Sequence, residues 1–279
     1  MAILVTGGSG FIGGKTIARL KEKGEDVKLF ERDITKTSDW EKNLWGGEVV
    51  YLIAGIRTET EADFEVNANS VDKLFEVCEV TKRVPKKIIL ASSQAVYVGS
   101  KIPFKEIQKT NPKTIYGKSK LEGEKNAMKR CGQLEIPLVI LRYSTVLGAG
   151  VREKSRMSGP LFAWTKAAIA NEPIKVFQDG QQSRDPVHID DVVDANIMAM
   201  ELPAGIYNVG GGEKIKLIDI AKWVKEAAQS GSQIEIMGGE ASASDPQEMF
   251  SDTHKLKSFG WEPKRNVKQA VEEFVTQTS

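Results

Sequence analysis

A glycine-rich segment near the beginning of the chain constrains the fold more than any other feature. Residues 6–13 read Thr-Gly-Gly-Ser-Gly-Phe-Ile-Gly, directly after an apolar run and before a segment with helical periodicity. Glycines at this spacing, here Gly7, Gly10 and Gly13, allow a tight turn, the close approach of a phosphate and close helix–strand packing. The order strand, loop, helix therefore predicts the first βαβ unit of a fold that binds a dinucleotide pyrophosphate at a helix N-terminus.

Short apolar runs alternate with longer amphipathic stretches through the first half of the chain. This alternation predicts an α/β fold, a Rossmann-type doubly wound parallel sheet. We expect strands at residues 2–6, 27–30, 49–53, 88–92 and 138–141. After about residue 145 glycines and prolines separate shorter elements, which predicts a smaller C-terminal lobe. The expected domains are residues 1–145, to which some later segments can return, and residues 146–279.

Composition argues against several classes of partner. The 39 lysines and arginines against 38 aspartates and glutamates give a formal charge of +1, so no nucleic-acid partner is expected. The longest uncharged stretch, residues 88–100, has thirteen residues, whereas a membrane helix needs roughly 18. Cys78 and Cys131 have no metal-binding or disulfide-framework spacing, so we expect buried thiols and no metal. No secretory pattern precedes the first strand, which favours a cytoplasmic location.

An acidic residue follows the second predicted strand. Glu31 lies about 20 residues after the glycine loop, where a carboxylate accepts hydrogen bonds from an adenosine ribose and repels a 2′-phosphate. This favours NAD over NADP. Arg32 is its neighbour and could stack on adenine or pair with that phosphate, so NADP stays open as the alternative.

Ser93, Tyr116 and Lys120 form a candidate catalytic set. Tyr116 and Lys120 are four residues apart and therefore share one face of a helix. A nearby ammonium group, together with a nicotinamide cation, should lower the pKa of the phenol from about 10 and make it a base. Ser93, at the end of a predicted strand, can hydrogen-bond the same substrate oxygen.

With these motifs the chain resembles the extended short-chain dehydrogenase/reductase family, in its NAD-dependent nucleotide-sugar epimerase/dehydratase branch. The resemblance covers nearly the whole chain. It also rests on the segments Ala-Gly at 54–55, SSQAVY at 92–97, QSRDPVHIDD at 182–191, YNVG at 207–210 and GWEP at 260–263.

The resemblance implies roles for further residues, with the C-terminal lobe binding the substrate. Those expected to contact the cofactor are Gly7, Gly10, Phe11, Ile12, Gly13, Glu31, Arg32, Asp33, Ile34, Ala54, Gly55, Arg57, Lys120 and Tyr143. Those expected to contact a nucleotide-sugar substrate are Gln94, Thr145 and Arg184. The resemblance also implies a homodimer.

The residues after Ser93 help to select the reaction. The family's 4,6-dehydratases have an Asp-Glu pair there, and relatives that epimerise two carbons beside a ketone have a cysteine two places on. Gln94 and Ala95 supply neither. We therefore expect an NAD-dependent epimerase acting at C4 of a nucleotide hexose. The alternatives are an NAD(P)-dependent reductase or dehydrogenase of a 4-keto nucleotide sugar or another small alcohol, and a non-catalytic NAD-binding protein.

The chain also departs from the family pattern. Thr145 replaces the usual asparagine, and residues 242–245 lack the arginine that relatives place against the diphosphate. Arg184 can still meet a diphosphate, or it can pair with Asp185 and brace the lobe. Only 22 residues separate Glu31 from Ala54, which predicts an abbreviated strand–helix unit. His188 is expected to be structural, and residues 210–214 are expected to form a turn.

Overall fold

The structure is a computed structural model that describes residues 2–55, 60–151, 158–239 and 246–278. Its strands are β1 (Ala2–Thr6), β2 (Asp26–Leu29), β3 (Val49–Leu52), β4 (Lys87–Ser93), β5 (Leu138–Tyr143), β6 (Thr145–Leu147), β7 (Ile174–Val176), β8 (Ser183–Arg184), β9 (Pro186–His188), β10 (Gly205–Val209), β11 (Ile215–Lys216) and β12 (Ile234–Ile236). Its α-helices are α1 (Phe11–Glu22), α2 (Thr37–Asn43), α3 (Glu61–Thr81), α4 (Ile115–Gln133), α5 (Ser158–Ile169), α6 (Ile189–Met198), α7 (Leu217–Ala227), α8 (His254–Lys257) and α9 (Val267–Thr278).

The largest sheet has the strand order β10-β5-β4-β3-β1-β2, and all of its pairings are parallel. The chain leaves β1 toward β2 on one side and returns to β3 on the other. Ligands of such sheets bind at the carboxyl ends of the strands where this direction changes. The predicted α/β fold is confirmed, with predicted and observed strand ends differing by at most two residues. β10 joins this sheet from beyond residue 200.

The sheet is buried on both faces. Every residue of β3 and β5 is buried, which explains why these strands are continuous apolar runs rather than alternating ones. Helices α3 and α4 pack against each other, as do α1 and α6. Cys78 and Cys131 are buried free thiols, as predicted.

The connection from β2 to β3 is short. It contains the seven-residue helix α2 and no strand, and β2 lies at the edge of the sheet. The abbreviated unit expected from the sequence is therefore present. Trp40 of α2 is fully buried, and its indole Nε1 donates a hydrogen bond to the Ile34 carbonyl at 2.9 Å.

A separate apolar core lies between α5, α7, α9 and β7, within the region predicted to form the C-terminal lobe. The segment Gly260–Pro263 fastens the chain to α6, because the Trp261 indole donates to the Asp191 carbonyl at 3.0 Å. The Asp191 carboxylate also accepts a bond from the Arg265 guanidinium at 2.7 Å.

In the part of the chain described here, no helix has both the length and the apolar character needed to cross a membrane.

Candidate active site

The glycine loop joins β1 to α1 in a conformation that its glycines permit. Gly7 has φ +71°, and a Cβ atom at this position would lie 2.7 Å from the Ala54 backbone nitrogen. A Cβ atom on Gly13 would lie 2.2 Å from the Gly7 carbonyl oxygen. The loop therefore packs closely against the end of β3 and against the first turn of α1.

The N-terminus of α1 suits an anion. Its N-cap is Gly10, which offers no side-chain cap, and its first turn contains no acidic residue. The side chains of Phe11 and Ile12 pack against the apolar cores of the lobe and the sheet. Uncapped backbone N–H groups and the helix dipole together favour a phosphate here. This arrangement fits the pyrophosphate of a dinucleotide, and Gly7, Gly10, Phe11, Ile12 and Gly13 are the residues that would hold it.

A cleft, partly open to solvent, lies at the carboxyl ends of β1, β3 and β4. It is lined by Thr6, Ile34, Trp40, Leu52, Ala54, Asn67, Ser70, Val71, Leu90, Ala91, Lys120 and Gly123. The predicted residues Ile34, Ala54 and Lys120 thus share one cavity. Trp40 and Asn67 were not predicted from the sequence to lie at the site. Their only signal was position, because α2 and α3 both flank the strand ends.

Thr6 and Lys120 hydrogen-bond to the backbone at the strand ends that line this cleft. The Thr6 hydroxyl accepts bonds from the backbone nitrogens of Ile53 and Ala54, at 3.1 and 3.0 Å. The Lys120 ammonium donates to the Ala91 carbonyl at 3.3 Å and lies beside Gly55.

The residues after β2 divide into two groups. Glu31 and Arg32 are exposed, so both can reach a ligand at this edge of the sheet. The Asp33 carboxylate instead accepts bonds from the Thr35 hydroxyl and backbone nitrogen, at 2.6 and 2.9 Å. The bond from the Thr35 side chain is the main cause of the lowered pKa of Asp33. Asp33 therefore stabilises a turn, and Ile34 is the residue that lines the cleft.

Helix α4 brings the candidate catalytic residues together. Thr114 caps the helix by accepting a bond from the Gly117 nitrogen at 2.9 Å. This turn packs against the 3-10 helix Gln94–Tyr97, because a Cβ atom on Gly117 would lie 2.5 Å from the Ala95 carbonyl oxygen. Tyr116 consequently interacts with the Ser93 side chain, and the Lys120 Nζ atom lies 5.9 Å from the centre of the Tyr116 ring.

The electrostatics differ from the sequence-based expectation. Burial raises the pKa of Tyr116, and the interaction with Ser93 offsets only part of this increase. Burial also lowers the pKa of Lys120 to about 8, against the attraction of Glu124. The lowered Tyr116 pKa expected from the sequence is therefore not produced by the groups of this chain, because desolvation of the phenolate outweighs them.

Tyr143 is the register partner of Ser93 on the neighbouring strand. Its hydroxyl donates to the Asn196 side-chain oxygen at 2.6 Å, and burial raises its pKa. The position of its ring near a nicotinamide stays a prediction.

The predicted substrate residues lie on three different elements, the 3-10 helix after β4, β6 and β8. Gln94 is buried and its side-chain oxygen accepts a bond from the Ser251 hydroxyl at 3.3 Å. Thr145 is half-buried at the beginning of β6. Arg184 is buried and donates to the carbonyls of Ser183 and Pro246, at 2.8 and 3.1 Å.

The neighbours of Arg184 have structural roles. The Asp185 carboxylate accepts bonds from the nitrogens of Gly212 and Ser251, at 2.8 and 3.2 Å, and so fixes the predicted turn after β10. Burial raises the pKa of Asp185 to about 7, and these backbone bonds oppose the increase. His188 Nδ1 accepts a bond from the Asp190 nitrogen at 3.0 Å, which caps α6 and confirms the structural interpretation of this histidine.

Two sequence-based expectations fall outside the described residues: the cofactor role of Arg57, and the missing arginine at residues 242–245. Within the described ranges, no group of three or more histidine, cysteine, aspartate or glutamate side chains is arranged to hold a metal ion.

The parallel sheet, the glycine loop at its switch point and the Ser–Tyr–Lys set together define an extended short-chain dehydrogenase/reductase. The model of the NAD dependent epimerase/dehydratase family matches residues 3–210. The chain therefore belongs to this NAD-dependent family of enzymes.

Similar proteins cover the chain almost completely. A putative UDP-glucose 4-epimerase of Methanocaldococcus jannaschii is 27% identical, over 98% of this chain and 97% of the relative. An ADP-L-glycero-D-manno-heptose-6-epimerase of Brachyspira hyodysenteriae is 30% identical, over 98% and 96%. The crystal structure of a UDP-glucose 4-epimerase from Thermotoga maritima with UDP-glucose superposes with a TM-score of 0.88 at 25% identity, covering 99% of this chain and 98% of that one.

Proposed function

We propose that this enzyme inverts C4 of a nucleotide hexose and that Tyr116, Ser93 and Lys120 carry the chemistry. The observation that carries the proposal is the convergence of these three side chains: Tyr116 interacts with Ser93, and the Nζ atom of Lys120, which lines the cleft, lies 5.9 Å from the centre of the Tyr116 ring. Relatives named as 4-epimerases support the choice of C4. A heptose-6-epimerase among the relatives shows that family membership alone does not select the carbon atom.

The residues after Ser93 narrow the reaction further. Gln94 is buried and hydrogen-bonded to Ser251, and Ala95 has no titratable group. Neither can act as the second acid or base that elimination of water requires. This leaves proton and hydride exchange at a single carbon.

Tyr116, Ser93 and Lys120 would have different roles in the reaction. Tyr116, as the phenolate, removes the proton from the C4 hydroxyl, and Ser93 donates a hydrogen bond to the same oxygen. Lys120 holds the hydroxyls of the nicotinamide ribose and keeps a positive charge near Tyr116. When bound, NAD would accept and return the hydride and would add the positive charge that favours the phenolate. The phenol then returns its proton after the 4-keto sugar has presented its other face.

The substrate contacts belong to the same proposal. Arg184 is a buried cation and would pair with the substrate diphosphate. Gln94 and Thr145 would contact the sugar. Glu31 would accept hydrogen bonds from the adenosine ribose.

We further propose a homodimer in the cytoplasm. The family resemblance supports the dimer, and α3 and α4 expose the apolar side chains of Val80 and Met128. Light scattering should give about twice the chain mass of 30.7 kDa. A mass of one chain at working concentrations would contradict the dimer.

A substrate screen tests the function. The purified protein is incubated with a panel of nucleotide sugars, and products are identified by mass spectrometry and proton NMR while the nicotinamide absorbance is followed in the same tube. We expect one pair of C4 epimers to interconvert without net change in the cofactor. Stoichiometric oxidation or reduction of the cofactor would instead identify a one-way dehydrogenase or reductase.

A further inference from the structure

A buried ion pair lies directly behind the candidate catalytic residues. Glu124 is one turn after Lys120 on α4, and Arg142 precedes Tyr143 on β5. Their exposed fractions are 0% and 3%. Arg142 Nη2 lies 2.5 Å from Glu124 Oε2, and its Nε atom lies 2.9 Å from Oε1. This is a bidentate pair, the most directional form of an arginine–carboxylate contact.

The remaining polar atoms of the pair are also bonded. The Ser92 hydroxyl donates to Glu124 Oε1 at 2.5 Å. Arg142 Nη1 donates to the Tyr97 hydroxyl at 2.6 Å, and that hydroxyl donates to Asn208 Oδ1 at 2.9 Å. The network therefore joins β4, the following 3-10 helix, α4, β5 and β10 through side chains alone.

The strand register places this network beside the catalytic set. Ser92, Arg142 and Asn208 are direct neighbours across β4, β5 and β10. Ser93 belongs to the next row of the sheet, where its partner is Tyr143. A displacement of Ser92, Arg142 and Asn208 would therefore also move Ser93 relative to Tyr116.

Stability alone does not explain such a pair. Replacing a buried ion pair by apolar residues of similar volume is often neutral or stabilising. Burial lowers the pKa of Arg142, but Glu124 and Tyr97 more than compensate, so the guanidinium stays charged. The charge of Glu124 also opposes the effect of burial on the pKa of Lys120.

We propose that Glu124 and Arg142 are positioning residues for catalysis: Arg142 fixes the Glu124 carboxylate, which stabilises the Lys120 ammonium and ties α4 to the strand that carries Ser93. The proposal rests on the proposed function only in assigning Lys120 to the cofactor ribose.

Several groups surround Lys120. Tyr116 and Glu124 are the titratable side chains that face it from its own helix. On the α3 side the neutral Asn67 side chain also lies close to the Gly55 Cβ position, and on β4 the Ala91 carbonyl accepts a hydrogen bond from the ammonium. Among the residues that the structure describes, Glu124 is thus the carboxylate acting on this ammonium.

The test measures NAD affinity against pH by calorimetry, without substrate. If the charged Lys120 binds the ribose, affinity in the wild type falls by about tenfold as pH rises through a midpoint near 8. In Glu124→Gln the ammonium loses its carboxylate, so the midpoint should move to lower pH by about one unit. An unchanged midpoint in the folded variant would overturn the proposal.

A matched control separates this effect from general destabilisation. Asp191 is also a buried carboxylate paired with an arginine, Arg265 at 2.7 Å, but it lies on α6. Asp191→Asn should lower the stability of the fold. The pH midpoint of NAD affinity should stay where it is in the wild type. An equal shift in this control would also overturn the proposal.

Glu124→Gln leaves Arg142 buried without its partner, so this variant can fail to fold. The double variant Glu124→Leu/Arg142→Met removes both charges and should fold. Its pH midpoint of NAD affinity should still be lower than that of the wild type. If neither variant folds, the pair is required for folding itself, and the positioning role is wrong. Because NAD binding is the readout, a wild type that binds NAD with the expected pH dependence but epimerises nothing would contradict the proposed function and leave this inference standing.

Discussion

The Nζ atom of Lys120 lies 2.7 Å from the position that a Cβ atom would take on Gly55. The same ammonium donates a hydrogen bond to the Ala91 carbonyl, so it is held between the ends of β3 and β4. The glycine after β3 therefore leaves the space that the lysine of α4 occupies.

Gly55→Ala should displace Lys120 and weaken NAD binding by about tenfold or more, the loss expected for hydrogen bonds to a charged group. Calorimetry measures this directly. Gly132→Ala is the matched control, because a Cβ atom there meets nothing within 4 Å. Affinity of the Gly55 variant equal to that of the control would show that Lys120 does not hold the cofactor from this position.

Tyr116→Phe should lower the turnover rate by about 10²–10⁴-fold, because it removes the group that transfers the proton. NAD binding and thermal stability should change little. Ser93→Ala should raise the barrier by about 3 kcal/mol, the value of one lost oxyanion donor. Tyr207→Phe is a control, since that hydroxyl bonds to the Pro203 carbonyl at 2.8 Å. A Tyr116 variant as active as this control would refute the assignment.

Calorimetry with both cofactors tests Glu31. Its carboxylate matches a ribose diol and repels a 2′-phosphate, so the wild type should bind NAD more tightly than NADP. Glu31→Gln should reduce this preference. If the wild type prefers NADP, Arg32 governs this end of the cleft instead.

Lys120→Met should make the cofactor-free protein more stable at pH 7 while abolishing activity. Burial lowers the pKa of Lys120 from 10.5 to about 8, so between these values the unfolded chain binds more protons than the folded chain. The stability of the wild type relative to the variant should therefore increase as pH rises through this window. We expect the variant to be more stable by about 1–3 kcal/mol at pH 7. Urea unfolding at several pH values checks this, with exposed Lys118→Met as the control. A stability difference between the wild type and Lys120→Met that does not change with pH would contradict this prediction.

Much of the fold was predictable because its signals are local. The glycine loop, the buried strands and the Tyr–Lys spacing on α4 each depend on neighbouring residues. Joining β10 to the main sheet depends on pairing with β5 across more than sixty residues of sequence, which periodicity does not show.

The site was less completely predictable. Trp40 and Asn67 line the cleft only because α2 and α3 pack beside the strand ends. The raised pKa of Tyr116 is a property of burial, which spacing along one helix does not reveal. The Glu124–Arg142 pair likewise requires contact between α4 and β5.

The fate of the hydrogen at C4 tests the central claim most directly. The NAD-loaded enzyme is incubated with a nucleotide hexose in deuterated water, and the product is examined by proton NMR and mass spectrometry. The account predicts inversion at C4 with no deuterium on that carbon and no net NADH, because the same hydride leaves and returns. Deuterium at C4, inversion at a different carbon, or stoichiometric NADH would contradict it.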